Sequence, residues 1–240
     1  MPKISIAIPA YAKNAVEVQY LKDSFISIEK QTFKDFEVVV SDHSKINDLG
    51  NLCDEYSTKF NIKYIKNFYG RELAHPGTSN SNVAMDYCSG KYIKILHHDD
   101  FFVDNQALEK IVNAMELSKK EWLVCGFNHT RDIVNFFDPR TPKYTDHLLV
   151  GNNLLGAPTN VSIRNDSKLY FDINAMMSMD HEWYHRLRMK YGMPYILDEV
   201  LVTSRIRNDR LSAQEASKYD IVIEGDGSSW QFIQSELEYL

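Results

Sequence analysis

Tyr92-Ile93-Lys94-Ile95-Leu96-His97-His98-Asp99-Asp100 joins an apolar strand directly to two histidines and two carboxylates. A run such as Tyr92 to Leu96 reads as a buried strand, so the residues after it emerge at the strand's carboxyl end. Open α/β sheets bind their ligands at that edge. Adjacent carboxylates there repel each other unless a cation lies between them, and hard divalent cations take oxygen ligands. Two readings of the pair stand at this point. Asp99 and Asp100 form a metal and diphosphate site, or Asp100 caps a following turn or helix and Asp99 is simply solvated.

Outward from this strand, the chain alternates strand and helix. Lys3 to Ile8 is a first β-branched strand, ended by the turn chemistry of Pro9-Ala10-Tyr11-Ala12-Lys13-Asn14. Val18, Leu21, Phe25 and Ile28 then repeat with helical spacing. Phe36 to Val40 is a second strand closing on Ser41-Asp42-His43-Ser44, followed by a helix from Ile46 to Phe60 and a short strand from Ile62 to Ile65. Asn67 to Ser81 reads as a loop. Val83 to Cys88 reads as a short helix stopped by Ser89-Gly90. Beyond the Asp pair come a helix marked by Leu108, Ile111, Val112 and Met115 and a strand from Trp122 to Phe127. This alternation predicts an α/β fold, a mostly parallel central sheet with helices on both faces. Asn128 to Thr159 loses the pattern and is expected to be an insertion or lid over the site. Asn160 to Arg164 returns to strand, Asp180 to Tyr191 is helical, and Pro194 to Arg205 is extended. The tail is expected to be helix broken at Gly225-Asp226-Gly227.

With 44% hydrophobic residues, 240 residues can bury a full core, which suits one large domain or one domain with an appendage. The net charge of −6, with Lys and Arg scattered, leaves no basic face for a nucleic-acid backbone. No signal-peptide core or membrane span is visible, so a cytoplasmic protein is expected. Cys53, Cys88 and Cys125 are far apart, as buried free thiols would be. GxGxxG and GxxxxGK[ST] loops are both absent.

An ordered set of short motifs resembles the family 2 glycosyltransferases, which have the GT-A nucleotide-sugar-binding fold. The set is Ile8-Pro9-Ala10-Tyr11, Gln31 to Val38, Ser41-Asp42-His43-Ser44, Asn82, Gly90-Lys91-Tyr92-Ile93 before the Asp pair, and Asp180 with Arg186. The resemblance implies a GT-A domain over residues 1–205, with a nucleotide-sugar-binding half (1–127) and an acceptor-side half (128–205), followed by the tail at 206–240. It places Pro9, Tyr11, Asp42, Asn82, His97, His98 and Arg207 at the nucleotide. Tyr11 would stack on the base and Asp42 would accept from its edge. The alternatives are a Tyr packed under a turn and an Asp making an Asx-turn. Asp99 looks like the metal-binding Asp of the family's DxD motif, with Asp100 beside it as a second ligand and Mn²⁺ or Mg²⁺ as the cofactor. His97 replaces the motif's first Asp, and His98 has only its place in the run to recommend it. Arg207 stands where many members have a His near the diphosphate. Gly156-Ala157-Pro158-Thr159-Asn160 is similar to the acceptor-side turn. Asp180 is similar to the general base, against a plain helix cap, and Arg186 would be a buried partner to a nearby acid.

The function implied is inverting, metal-dependent transfer of a sugar from a nucleotide-diphosphate sugar, UDP-linked in the first instance, to a hydroxyl of a glycan or lipid-linked saccharide. Peripheral association with the inner membrane face would follow. Three rivals exist. His181-Glu182-Trp183-Tyr184-His185 is a literal HExxH, as in zinc hydrolases, but a third ligand is not evident. A nucleotidyltransferase would need a Gly-rich, cationic loop at Pro9 to Asn14. A degenerate GT-A domain would bind the sugar nucleotide without turnover.

Overall fold

The computed structural model describes residues 1–73, 76–175 and 179–207, together with two short strands at 223–224 and 229–230. At the centre of the sheet lies β1 (Ile4–Ala10), parallel to β2 (Phe36–Asp42) on one side and to β4 (Tyr92–Ile95) on the other, with β3 (Ile62–Lys66) parallel to β2. The β-branched residues of β1 and β2 face helices on both sides and are fully buried, which explains why they read as continuous apolar runs. Chain direction reverses after β4: β8 (Val161–Arg164) is antiparallel both to β4 and to β6 (Trp122–Thr130), and β9 (Tyr195–Arg205) runs parallel to β6. Two strands absent from the sequence reading complete the sheet. They are β5 (Phe101–Phe102) on β9 and β7 (Phe136–Arg140) on β6. The strand order is β3-β2-β1-β4-β8-β6-β9-β5 with β7 joined to β6.

The helices are α1 (Ala15–Glu29), α2 (Asp48–Tyr56), α3 (Pro76–Asp86), α4 (Ala107–Ser118) and α5 (Met179–Tyr191). Asn14 caps α1, its side chain accepting from the amides of Val16 and Glu17. The apolar stripe of α1, Leu21, Phe25 and Ile28, is fully buried; Phe25 packs 5.2 Å from Tyr56 and 5.6 Å from Phe60 between ring centres. Each such side chain contributes about 1.5 to 3 kcal/mol by leaving water. α3 corrects the loop expected to run through Ser81. The helix already begins at Pro76, because proline suits the first helical turn, and Thr78 to Ser81 are buried against the sheet despite their weak propensity. The expectation of helix in the tail fails at the four residues described there, where Ile223–Glu224 pairs antiparallel with Ser229–Trp230; the rest of that expectation lies outside the described residues.

Two close contacts fix the sheet below the site. A Cβ on Gly90 would lie 2.7 Å from the Ser5 amide nitrogen, so only glycine lets the chain enter β4 this close to β1. Beside it, Glu37 accepts from Ser5 Oγ (2.6 Å), Ser89 N (2.6 Å) and Ser89 Oγ (2.8 Å). Burial alone would raise the Glu37 carboxyl, but these hydrogen bonds outweigh it and hold it low. All three cysteines are buried free thiols.

Candidate active site

The topology changes direction between β1 and β4, so the carboxyl ends of β1, β2 and β4 open one crevice. Into it project the turn after β1, the Asp42-His43-Ser44 segment and His97 to Asp100. The two loops on the β1 and β2 side are tied together, Ser44 Oγ accepting from the Ala12 amide at 2.8 Å. Tyr11 stands beside this tie, 40% exposed, with Lys13 Nζ 5.6 Å from its ring centre. It is therefore an open face, not a ring packed under a turn. Asp42 differs. It is fully buried and makes the Asx-turn, Oδ1 accepting from Ser44 N at 2.7 Å, while Oδ2 accepts from Tyr64 Oη (2.7 Å) and Lys66 Nζ (2.9 Å). For Asp42 to accept from a base edge, it must use the remaining lone pair of Oδ1 or release one of these partners.

Asn82, expected at the nucleotide, is placed elsewhere by its contacts. Its amide donates to Phe171 O and accepts from Phe171 N, both at 2.8 Å, which clamps the acceptor-side chain to α3. The buried amide facing the strand ends is Asn80, which donates to Ala10 O (3.0 Å) and accepts from Ser41 Oγ (2.6 Å) and Asn67 Nδ2 (3.2 Å).

The adjacent acids face different environments. Asp99 keeps 16% of its side chain exposed and meets Arg207 Nε at 3.2 Å, while Arg207 also approaches Glu17 at 3.7 Å. Burial pulls the Asp99 carboxyl upward, but His98, Arg207 and His97 outweigh it and keep it below the ordinary range. Asp100 is 5% exposed at its side chain; its Oδ1 accepts from the Arg205 amide at 2.9 Å and the Thr159 hydroxyl also bonds it. Burial, reinforced by the Asp99 charge, pushes Asp100 well above the usual carboxylate range. The two expected metal ligands are thus unequal: Asp99 is poised as an anion at the crevice, and Asp100 is a framework acid. Burial lowers the affinity of both His97 and His98 for protons, against the pull of the Asp99 charge. His98 bonds the Pro9 backbone, which seats Pro9 in the floor of the site, and its buried Nε2 has no hydrogen-bond partner among the described residues.

On the far side, Asp180 opens α5 and accepts from Asn153 Nδ2 at 2.9 Å. His97 feels the charges of both Asp99 and Asp180, so both acids lie within electrostatic reach of its ring. The helix is rotated into place by Trp183, Tyr184 and Leu187, all fully buried, with Trp183 Nε1 donating to Leu169 O at 2.7 Å. The same packing dismantles the HExxH. His181 is 2% exposed, Glu182 is held by a two-point contact from Arg186, and among the described residues no group of three His, Cys, Asp or Glu could hold a metal. Arg186 is consequently a half-exposed helix-surface partner of Glu182, not a buried one. Glu182→Gln is expected to change stability by about 0.5 kcal/mol or less and transfer by about threefold or less, as checked by melting and rate measurements.

The family model for glycosyl transferase family 2 matches residues 5–187. The chain belongs to that family. It is 29% identical over 221 residues to an uncharacterised glycosyltransferase of Methanocaldococcus jannaschii, covering 86% of this chain and 72% of that one. Among solved structures it is similar to S. aureus TarS 1-349 in complex with UDP (TM-score 0.65, 17% identity, 86% of this chain and 61% of that one). It is also similar to the mannosyltransferase PcManGT from Pyrobaculum calidifontis in complex with GDP-Man and Mn²⁺ (TM-score 0.60, 13% identity, 90% and 61%). At these identities the structures establish the GT-A fold. The chain spans about three fifths of either structure.

The glycosyltransferase site contains residues that sequence reasoning passed over. Arg205 donates from its backbone to Asp100, from Nε to Asp99 O (3.2 Å) and from Nη2 to Asp23 (2.7 Å), with its guanidinium 4.4 Å from the Tyr20 ring. Glu17, 6% exposed between Val16 and Val18 in the first turn of α1, accepts from Lys13 N. An arginine two residues before Arg207, and an acid set among apolar α1 positions, were the available signals. The donor set suits a cation bound mainly by substrate. Asp99 supplies one accessible carboxylate, and Mg²⁺-type ions are commonly held by one or two carboxylates together with phosphate oxygens.

Proposed function

We propose that this glycosyltransferase moves a sugar, with inversion, from a nucleotide diphosphate donor, UDP-linked in the first instance, to a hydroxyl of a saccharide acceptor. The observation that supports this reading is that the carboxylates of Asp99 and Asp180, from different parts of the chain, both act electrostatically on the buried His97 ring. A divalent cation bound at Asp99 would supply charge stabilisation to the departing diphosphate. Arg207, against Asp99, adds fixed positive charge at the same place. Asp180, steadied by Asn153, accepts the proton of the incoming hydroxyl from the other face of the sugar. A single base and a single direct displacement invert the anomeric centre, and no carboxylate nucleophile is required.

Support for the donor comes from the nucleotide-bound TarS and PcManGT structures, and for the cation from Mn²⁺ in the latter. A lipid-linked acceptor at a membrane surface is supported by Leu149, Val150 and Leu154, which are 53%, 60% and 39% exposed beside Asn153. Among the described residues no helix is long and apolar enough to cross a membrane. Titrating the protein with UDP-, GDP- and dTDP-sugars, with Mn²⁺ and with chelator, tests the donor. Turnover separates an enzyme from a degenerate binding domain, and NMR of the product's anomeric proton tests inversion.

Tyr11→Ala should weaken nucleotide binding by about 1 to 3 kcal/mol, the scale of base–aromatic stacking. Because the ring is exposed, the melting transition should persist. Unchanged affinity in calorimetry would remove Tyr11 from the base site.

A further inference from the structure

Lys94 is the one residue of β4 whose chemistry contradicts its place. It sits between Ile93 and Ile95 in a central strand and is fully buried, where methionine or leucine would fill the same space at no electrostatic cost. Burying an ammonium costs several kcal/mol unless its hydrogens are used. The Nζ donates to Thr159 O at 2.5 Å and lies 3.9 Å from Cys125 Sγ, which itself donates to Asn160 O at 3.4 Å. Both contacts end on the backbone of one turn, Pro158–Asn160.

That turn joins the two halves of the reaction. On the donor side the Thr159 hydroxyl bonds Asp100 and accepts from His97 N at 3.4 Å. On the acceptor side Asn160 Nδ2 donates to Leu155 O (3.1 Å), and Gly156 O accepts from Tyr184 Oη (2.9 Å) and Asn153 Nδ2 (3.1 Å), the same amide that donates to Asp180. Gly156 has φ +76° and no room for a Cβ, which would lie 2.4 Å from Asn160 Nδ2, so the turn has little freedom of its own. From beneath, Lys94 is its hydrogen-bonding anchor.

We propose that Lys94 is a positioning residue for sugar transfer, holding the Thr159–Asn160 backbone so that the donor-side acids and the Asp180 base keep a fixed separation. The inference rests on the transfer reading above. Lys94→Met preserves volume and removes the hydrogen-bond donor. Its melting temperature should be equal or higher, since replacing a buried ionisable group by a well-packed hydrophobe of similar volume is often neutral or stabilising. Its donor affinity with Mn²⁺ should stay within about twofold. Its kcat for sugar transfer should fall by about tenfold or more, because sub-ångström misplacement of reacting groups is costly. A kcat within about twofold of wild type overturns the proposal. So does a fall in kcat accompanied by equal losses of donor binding and melting temperature, which is what a merely structural lysine would give. If Lys94→Met does not fold, Lys94→Gln is read by the same criteria, and failure of both to fold assigns Lys94 to the fold and overturns the positioning role. Wild-type protein that binds and turns over no sugar nucleotide defeats the transfer reading instead.

Discussion

Asp180→Asn is expected to lower kcat by about a hundredfold or more, the usual scale for losing a general base, while donor affinity changes little. The separation follows from position. Asp180 lies at the start of α5, held by Asn153, whereas the residues proposed to hold the nucleotide come from the ends of β1, β2 and β4. Asparagine keeps the shape and can still face Asn153, so the fold should survive and the melting temperature is the control. Steady-state kinetics with calorimetry of donor binding checks the result. An Asp180→Asn enzyme with near-wild-type kcat would end the base assignment. Activity lost instead in Glu182→Gln would point to the neighbouring acid, although its contact with Arg186 argues against it.

The second large effect concerns Asp99. Asp99→Ala should abolish the metal dependence of nucleotide binding: affinity with Mn²⁺ should drop by about tenfold or more, roughly 1.4 kcal/mol, to the value seen with chelator. Asp100→Asn should behave differently. The Asp100 carboxyl is enclosed, and burial beside the Asp99 charge raises it above the usual carboxylate range, so removing its charge should cost less than at Asp99, and the Arg205 amide keeps an oxygen to bond. Equal metal affinity in wild type and Asp99→Ala would show that the cation, if bound, is held elsewhere. Titration of Mn²⁺ and UDP into each variant separates these outcomes without an acceptor.

The linear order of the motifs carried much of this. Strand-helix alternation, the apolar runs of β1, β2 and β4 and the acids after β4 are local patterns, and hydrophobic burial makes them legible because each element must hide one face. The same alternation placed His97 to Asp100 at a carboxyl-end crevice. The family's ordered motifs singled out Asp180 although it is followed at once by a zinc-like HExxH. Other features have no local signature. Asp180 and Glu182 are two residues apart, about 200° around a helix, and the apolar stripe alone did not say which acid faces the crevice. The packing of Trp183 and Tyr184 against the sheet did, together with Arg186 capturing Glu182. Asp42 and Asn82 look alike as exposed polar candidates in sequence, yet Tyr64, Lys66 and the Phe171 backbone, far along the chain, take their hydrogen-bonding atoms. Lys94 and Arg205 read as ordinary strand residues until strands more than thirty residues away closed over one and the Asp pair met the other. Periodicity reports which side of an element is buried; the partner of a buried charge is chosen by long-range contacts, and those exist only once the chain has folded.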